Sequence, residues 1–183
     1  NPSGRISPST AKHVRDGLDG RLDLVLDGGS CESGLESTII DCSGKVARLL
    51  RPGGITRDAL AAALAVANCN PQINIAEPLA DHKNPVAPGQ LASHYAPKAP
   101  LRLMAKTSNT GEELIGFGTV SGAGKLALNL SPSGDLVEAA ANLFSMLHAV
   151  DAADIAKIAI APIPDTGLGE AINDRLRRAA APR

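Results

Sequence analysis

Short apolar runs alternate with helix-period segments along this chain, and the alternation predicts a mixed α/β protein. Runs rich in Val, Ile and Leu that are bounded by Gly, Pro or Asp are typical of short strands. Apolar residues spaced three and four apart predict amphipathic helices. The predicted strands cover 22–26, 37–42, 46–51, 101–105, 114–118, 125–128 and 157–161, and the predicted helices follow residue 10 and cover 57–67, 135–150 and 168–181.

The stretch from Gly34 to Gly54 predicts a β-hairpin with polar residues at its open end. A Ser43-Gly44 turn separates its two strands, so we expect Ser37 and Arg51 to lie near one edge. The residues after Arg51 are Pro-Gly-Gly, which lets a backbone approach a ligand closely, and a guanidinium beside such a loop suits phosphate. The same residues also occur at ordinary strand ends with a solvent-facing Arg, so the hairpin by itself is only suggestive.

Two helix ends offer weaker signals for an anion. The first helix begins at Ser9 or Thr10, where unpaired N–H groups and the helix dipole converge, although Ser9 is equally explained as a cap. The last helix follows a Gly-Leu-Gly turn at 167–169, a weak phosphate signal, and its basic run at 174–178 is typical of a solvated face. In the helix at 135–150 we expect Phe144 to belong to the core, and we expect the helix at 57–67, which follows the N-cap candidate Thr56, to cover a sheet.

Prolines accumulate between residues 71 and 100, and this stretch predicts a linker or a lid. We expect the chain to divide into 1–70, a linker at 71–100, and a compact α/β unit at 101–183. The linker contains the sole tyrosine, Tyr95, which is either a packing anchor or a ring that closes over a ligand. Its neighbour His94 has no identifiable partner, which favours a structural role.

Composition, charge and missing motifs argue against several classes of protein. The 183 residues are 44% hydrophobic but only 2% aromatic, and the formal charge of −1 argues against a broad nucleic-acid surface. Three cysteines, Cys31, Cys42 and Cys69, form no CxxC pair and fit reduced thiols in the cytoplasm. No apolar run suits a membrane helix, and no metal cluster, catalytic triad, Walker loop or paired carboxylates emerge. Because the chain starts at Asn1, we expect it to be processed or the later part of a longer protein.

Five segments in order resemble the latter part of the YrdC-type threonylcarbamoyl-AMP synthases: NPSGRISPST, DGGSCESGLESTIID, LLRPGGIT, PGQLASHYAPKAPL and IPDTGLGEAINDRLRRAA. The resemblance is to the longer form of the family, which has two domains. It implies an incomplete YrdC-like catalytic domain joined by a Pro-rich linker to a small Rossmann-like domain.

The resemblance also implies a reaction and a set of site residues. Threonine and bicarbonate give a carbamate that attacks the α-phosphate of ATP, which releases pyrophosphate and forms threonylcarbamoyl-AMP for tRNA threonylcarbamoyladenosine synthesis. Mg²⁺ is expected with ATP, and the downstream partner is the tRNA threonylcarbamoyl-transfer machinery. No covalent nucleophile is expected, and direct tRNA binding is not favoured. The implied contacts are Asn1, Ser9, Arg51 and Tyr95 with ATP, and Ser37 with threonine.

The chain departs from the family because the N-terminal part, with its Lys-x-Arg phosphate-binding strand and the Ser that precedes Asn1 in the Ser-x-Asn motif, is absent. We therefore expect the 183 residues alone to be inactive and their truncated sheet to leave an exposed edge. Two other classes stay open. One is a nucleotide-sensing or partner-binding module without catalysis, and the other is a direct RNA binder.

Overall fold

The computed structural model describes residues 1–66 and 87–182. The chain forms a two-stranded hairpin in its first third and a parallel three-stranded sheet with helices in its second half, so the predicted α/β class is confirmed. Its elements are α1 Ala11–Leu18, β1 Ile39–Asp41, β2 Arg48–Arg51, α2 Arg57–Val66, β3 Leu101–Arg102, β4 Glu113–Ile115, α3 Leu136–Ala152, β5 Ile158–Ile160 and α4 Leu168–Ala180. Within the described ranges, no helix is both long enough and apolar enough to cross a membrane.

The predicted hairpin is confirmed, with shorter strands. β1 and β2 run antiparallel, Ile39 is paired with Arg51, and the register shifts between Ile39 and Ile40. Asp41 organises the turn because its Oδ1 accepts hydrogen bonds from the amide and the hydroxyl of Ser43. Leu49 is buried, so the hairpin presents one face to the interior.

The C-terminal sheet has the strand order β3-β5-β4, and all its strands are parallel. β5 lies in the centre and its three residues are buried, as expected for an apolar strand covered on both faces. α3 begins at the N-cap Asp135 and buries the apolar stripe that includes Phe144, which confirms both predictions for that helix. α4 packs against α3 and against β3.

Three predictions about elements were wrong. The run Leu22–Leu26 forms no strand, and its leucines are exposed. The run at 125–128 forms no strand because Glu113 Oε1 accepts the amides of Leu126 and Ala127, which leaves them no strand partner. α2 begins after Thr56 as predicted, but it has no buried residue and covers no sheet in the described ranges.

The domain limits at residues 70 and 100 stay a prediction. Residues 71–86 of the predicted linker and Cys69 lie outside the described residues. The described part of the linker, 87–100, packs closely, since Tyr95, Ala96 and Ala99 are all buried. Tyr95 and Ala99 belong to the same core cluster as Ile6 and Leu35 from the N-terminal part and Phe144 from α3.

Candidate functional site

The hairpin edge brings Ser37 and Arg51 into direct contact. Arg51 is the last residue of β2 and pairs across the hairpin with Ile39, two residues beyond Ser37. Its Nε and Nη2 donate to the Ser37 carbonyl at 3.1 and 2.9 Å, and Nη2 also lies 3.2 Å from Ser37 Oγ. The predicted proximity of these two residues is confirmed, but Arg51 is buried rather than solvent-facing.

The linker supplies the other side of this edge. Arg51 Nη1 donates to the Pro88 carbonyl at 3.3 Å, the longest of the four hydrogen bonds of its guanidinium. Gln90 also ties the linker to the hairpin, since its Nε2 donates to the Leu50 carbonyl at 2.9 Å. Gly89 lies between Arg51 and Tyr95, and a side chain there would clash with the Tyr95 hydroxyl. Ser37, Arg51 and residues 88–95 therefore form one cluster, which we call the hairpin–linker site.

Tyr95 lies inside this cluster as a packed ring. It is 2% exposed, its backbone has a positive φ of 59°, and its ring stacks on Phe144 with centroids 5.6 Å apart. Burial raises the pKa of the Tyr95 hydroxyl. The structure thus places Tyr95 as a packing anchor.

His94 has partners that the sequence did not reveal. Its Nδ1 accepts the Tyr95 amide at 3.0 Å, and its own amide donates to the Arg178 carbonyl of α4 at 3.2 Å. Burial is the main cause that lowers the pKa of His94, so the ring favours its neutral form. The predicted structural role agrees with these contacts.

Glu36 connects the hairpin to distant segments. One carboxylate oxygen accepts the Ser7 hydroxyl at 2.5 Å and the other accepts Nε of Arg175, from α4, at 2.8 Å. Burial opposes the charge of Glu36, but Arg175 and Ser7 outweigh it and lower the pKa of the carboxyl. The prediction that the basic run of α4 is a solvated face was wrong for Arg175, which is 1% exposed, and it fits Arg177, whose side chain is 57% exposed.

Ser9 is placed away from Arg51, beside the first helix. Ser9 is 4% exposed and its Oγ lies 3.2 Å from His13 Nδ1, while Thr10, not Ser9, caps α1 through its hydroxyl. Ser9 and Glu36 line a shared cavity of about 200 Å³ with Ser7 and Phe144. This cavity lies beside the hairpin–linker site, because Glu36 immediately precedes Ser37.

Asn1 lies in another cleft. Its side-chain amide donates to the carbonyls of Pro2 and Arg5, and it lines a space of about 360 Å³ with His13, His148 and Asp151 among its other walls. The rings of His13 and His148 stack there with centroids 3.8 Å apart. Of the five residues predicted from the resemblance, the structure brings Ser37, Arg51 and Tyr95 together, whereas Ser9 and Asn1 lie in adjoining cavities.

Sequence reasoning missed Glu36 and Arg175 as part of the site. Glu36 stands inside the motif GLEST and Arg175 inside INDRLRRAA, and nothing local in the sequence marks the two as partners. Their separation of 139 residues hides the pairing from any local pattern. The available signal was that an Arg on the apolar side of an amphipathic helix needs a buried partner.

Comparisons with known proteins agree with this architecture. Residues 55–181 match the family described as threonylcarbamoyl-AMP synthase, C-terminal domain, and residues 1–53 match the family described as telomere recombination. The whole chain is 34% identical to the threonylcarbamoyl-AMP synthase of Bacillus subtilis and 31% identical to that of Pyrococcus abyssi, and it covers 56% of each.

A solved structure shows the same fold. The crystal structure of P. abyssi Sua5 complexed with L-threonine superposes on 98% of this chain with a TM-score of 0.77 and 29% identity, and the match covers 56% of that protein. The chain thus spans a little over half the length of the relatives that it matches. With a family match across more than half of its residues, the chain belongs to the threonylcarbamoyl-AMP synthase family.

Proposed function

We propose that this chain is the later part of an L-threonylcarbamoyladenylate synthase of the longer, two-domain form, with a Rossmann-like C-terminal domain. The observation that carries the proposal is the hairpin–linker site, where Ser37, Arg51 and Tyr95 meet in a fold similar to that of a threonine-bound relative. Ser37 then binds threonine and Arg51 lines the ATP site. Asn1 and Ser9 extend the nucleotide contacts, and Tyr95 closes on the nucleotide when the linker moves.

The chemistry needs positioning more than a nucleophile from the protein. The threonine amine and bicarbonate condense to a carbamate with loss of water, and a carbamate oxygen attacks the α-phosphorus of ATP. The bond from that phosphorus to the β-phosphate bridging oxygen breaks, so pyrophosphate leaves and threonylcarbamoyl-AMP forms. Groups that orient the carbamate and neutralise phosphate charge supply the rate enhancement.

Arg51 suits this role because its guanidinium is already oriented. Two of its hydrogen bonds fix it on the Ser37 carbonyl, and the longer bond from Nη1 to the Pro88 carbonyl is the one that an ATP phosphate oxygen replaces. Loss of the Pro88 bond removes one contact between the hairpin and the linker that carries Tyr95, and the bond from Gln90 to Leu50 also has to yield before the linker moves. Phosphate binding and linker movement are therefore coupled in this proposal.

Mg²⁺ is proposed to arrive with the phosphates of ATP. Among residues 1–66 and 87–182, no group of three or more His, Cys, Asp or Glu side chains could hold a metal ion. The proposed partners are ATP, L-threonine and bicarbonate as substrates, and the tRNA threonylcarbamoyl-transfer machinery downstream. We propose a cytoplasmic location, since Cys31 and Cys42 are free thiols.

The test is threonine-dependent pyrophosphate release in the presence of ATP and bicarbonate. Two proteins are compared: this chain, and this chain fused after the segment that precedes the matched region in the Bacillus subtilis relative. We expect release only from the fused protein, and Arg51→Met in it to reduce release without changing its circular dichroism spectrum.

Two results contradict the proposal in different ways. Robust turnover by the 183 residues alone overturns the expected inactivity of this chain. If neither protein releases pyrophosphate although both are folded and bind ATP, a nucleotide-sensing module without catalysis replaces the synthase.

A further inference from the structure

Arg175 is a fully buried cation that the proposed reaction does not yet use. It lies on α4, in the C-terminal part of the chain, and is 1% exposed. Its Nε donates to Glu36 Oε2, and its Nη1 donates to the Pro52 carbonyl and to Asp174 Oδ2, each at 2.8 Å. A buried guanidinium is tolerated only where it is paired in this way, so these contacts define its position closely.

The two distant hydrogen-bond partners of Arg175 are sequence neighbours of Ser37 and Arg51, two of the residues proposed to bind ligands. Glu36 immediately precedes Ser37, and Pro52 immediately follows Arg51. Planar peptide bonds join each pair, so fixing Glu36 and Pro52 restricts where the side chains of Ser37 and Arg51 can lie. One side chain from α4 thereby sets both sides of the hairpin edge.

Arg175 also lies over the Tyr95 ring. Its guanidinium carbon is 5.3 Å from the ring centroid, a distance typical of a cation–π contact. Its Nη2 has no hydrogen-bond partner among the described residues, so the ring face is a favourable neighbour for this cation. Phe144 packs on the same tyrosine, which leaves Tyr95 enclosed.

The next turn of α4 holds the linker at Leu91 and at His94. Arg178 Nη1 donates to the Leu91 carbonyl at 2.8 Å, and the Arg178 carbonyl accepts the His94 amide at 3.2 Å. Asp174 connects the two arginines, since its carboxylate accepts from Arg175 Nη1 and from Arg178 Nε. α4 therefore contacts the hairpin and the linker through one continuous polar network.

We propose that Arg175 is a positioning residue: from α4 it holds Glu36, Pro52 and Tyr95 so that Ser37, Arg51 and the linker keep the geometry needed for threonine and ATP. The consequence for ligands rests on the proposed function, whereas the hold on Tyr95 does not. In this arrangement the C-terminal part of the chain contributes to substrate affinity without touching substrate.

The first test uses Tyr95 as its own reporter. The chain has one tyrosine and no tryptophan, so intrinsic fluorescence reports this ring alone. Quenching by acrylamide is measured, because a neutral quencher is not attracted or repelled when an arginine is replaced. We expect Arg175→Gln to increase acrylamide quenching of Tyr95 without changing the helix content. Arg175→Lys keeps the charge but not the forked donors, so its quenching should lie between that of Arg175→Gln and that of the unaltered chain.

Arg177→Gln is the matched control on the same helix. Its side chain is 57% exposed and lies 3.9 Å from Asp165, away from the network, so its quenching should equal that of the unaltered chain. The proposal is overturned if Arg175→Gln folds and its Tyr95 is quenched no more than in the unaltered chain. It is also overturned if Arg177→Gln increases the quenching as much as Arg175→Gln does. If Arg175→Gln does not fold, Glu36→Gln decides in its place, because it breaks the same pair with little change in shape.

The second test measures threonine binding and turnover in the fused protein. We expect Arg175→Gln to weaken threonine affinity roughly 3- to 30-fold, the range for residues that act on a site without contacting its ligand. We also expect the threonine KM to rise more than kcat falls, with partial recovery in Arg175→Lys. If Arg175→Gln binds threonine as tightly as the unaltered fused protein does, Arg175 does not position the threonine site. If the unaltered fused protein binds no threonine, the proposed function fails, and acrylamide quenching alone decides whether Arg175 positions Tyr95.

Discussion

Gly53 determines how closely the two sides of the hairpin edge approach each other. A Cβ at this position would overlap backbone atoms of three successive residues, Glu36, Ser37 and Thr38. The next glycine, Gly54, has open space around the same position. Backbone atoms cannot rotate away as a side chain can, so close contact requires a glycine at position 53 but not at position 54.

We therefore predict that Gly53→Ala destabilises the fold by about 1–3 kcal/mol through overpacking. Gly54→Ala should change the free energy of unfolding by less than about 0.5 kcal/mol. Urea unfolding of the two variants and the unaltered chain measures the difference. Equal stability of the two variants would show that the segment 36–38 can shift without cost.

Glu36 makes the stability of the site sensitive to acid. Its pKa in the fold is lower than its ordinary value of 4.5, since Arg175 and Ser7 outweigh burial. A depressed carboxyl pKa contributes stability that is fully present above the unfolded value and is lost as the pH falls through the folded one. The relevant window therefore lies below about pH 4.5.

We predict that Glu36→Gln lowers the free energy of unfolding near neutral pH and that the difference from the unaltered chain shrinks below about pH 4. Urea midpoints at the two pH values measure this. Glu32→Gln, in the exposed part of the same loop, is the control and should change stability little at either pH. If the loss of unfolding free energy in Glu36→Gln is the same at both pH values, the ionised form of Glu36 is not what stabilises the fold.

At the scale of elements, two stacked histidines join α1 to α3. The His13 and His148 rings are 3.8 Å apart, and His148 Nε2 donates to the Ser7 carbonyl at 3.1 Å. Burial lowers both pKa values below the ordinary 6.5, and proximity to His148 lowers that of His13 further. Asp16 acts in the opposite direction on both rings, as Asp151 does on His148, while Lys12 lowers both pKa values.

A lowered histidine pKa means that the folded chain binds fewer protons than the unfolded chain. The stability is then present above about pH 6.5 and is lost as the pH falls through the folded pKa values. We predict that the unaltered chain loses stability between about pH 8 and pH 5.5 and that His13→Asn/His148→Gln lessens this change, with the buried His94 contributing the remainder. The free energy of unfolding at both pH values measures it, and an equally steep loss in the double variant would place the sensitivity elsewhere.

At the scale of the whole molecule, one core joins the hairpin part to the C-terminal sheet. Ile6 and Leu35, Tyr95 of the linker, and Leu147 of α3 belong to a single buried cluster. The ion pair of Arg57 with Glu170 adds a further connection across the chain. The described parts therefore support each other and should unfold together.

We predict that Leu147→Ala, which leaves a cavity beneath α3, costs about 2–5 kcal/mol. It should lower the urea midpoint of Tyr95 fluorescence and of far-ultraviolet circular dichroism by equal amounts. Val137→Ala on the same helix, where the side chain is 62% exposed, is the control and should shift neither by much. Two separate transitions would instead indicate two units that fold independently.

The sequence alone determined the elements whose signals are local. The hairpin follows from β-branched runs around a Ser-Gly turn, and α3 follows from its apolar period and the N-cap Asp135. The proximity of Ser37 and Arg51 follows from the hairpin itself. The five ordered motifs further identified the family, because a motif is recognised in the sequence without knowledge of its tertiary contacts.

Tertiary structure decided what depends on distant partners. The Leu22–Leu26 run has the composition of a strand, but a strand needs a neighbour, and no described segment pairs with it. Glu113 takes the amides at 126 and 127 that a strand would have used. Arg175 reads as a surface residue in a basic run, yet it is buried because Glu36, 139 residues earlier, compensates its charge. Helix and turn signals act over a few residues, whereas strand pairing and buried ion pairs depend on which distant segments the fold brings together.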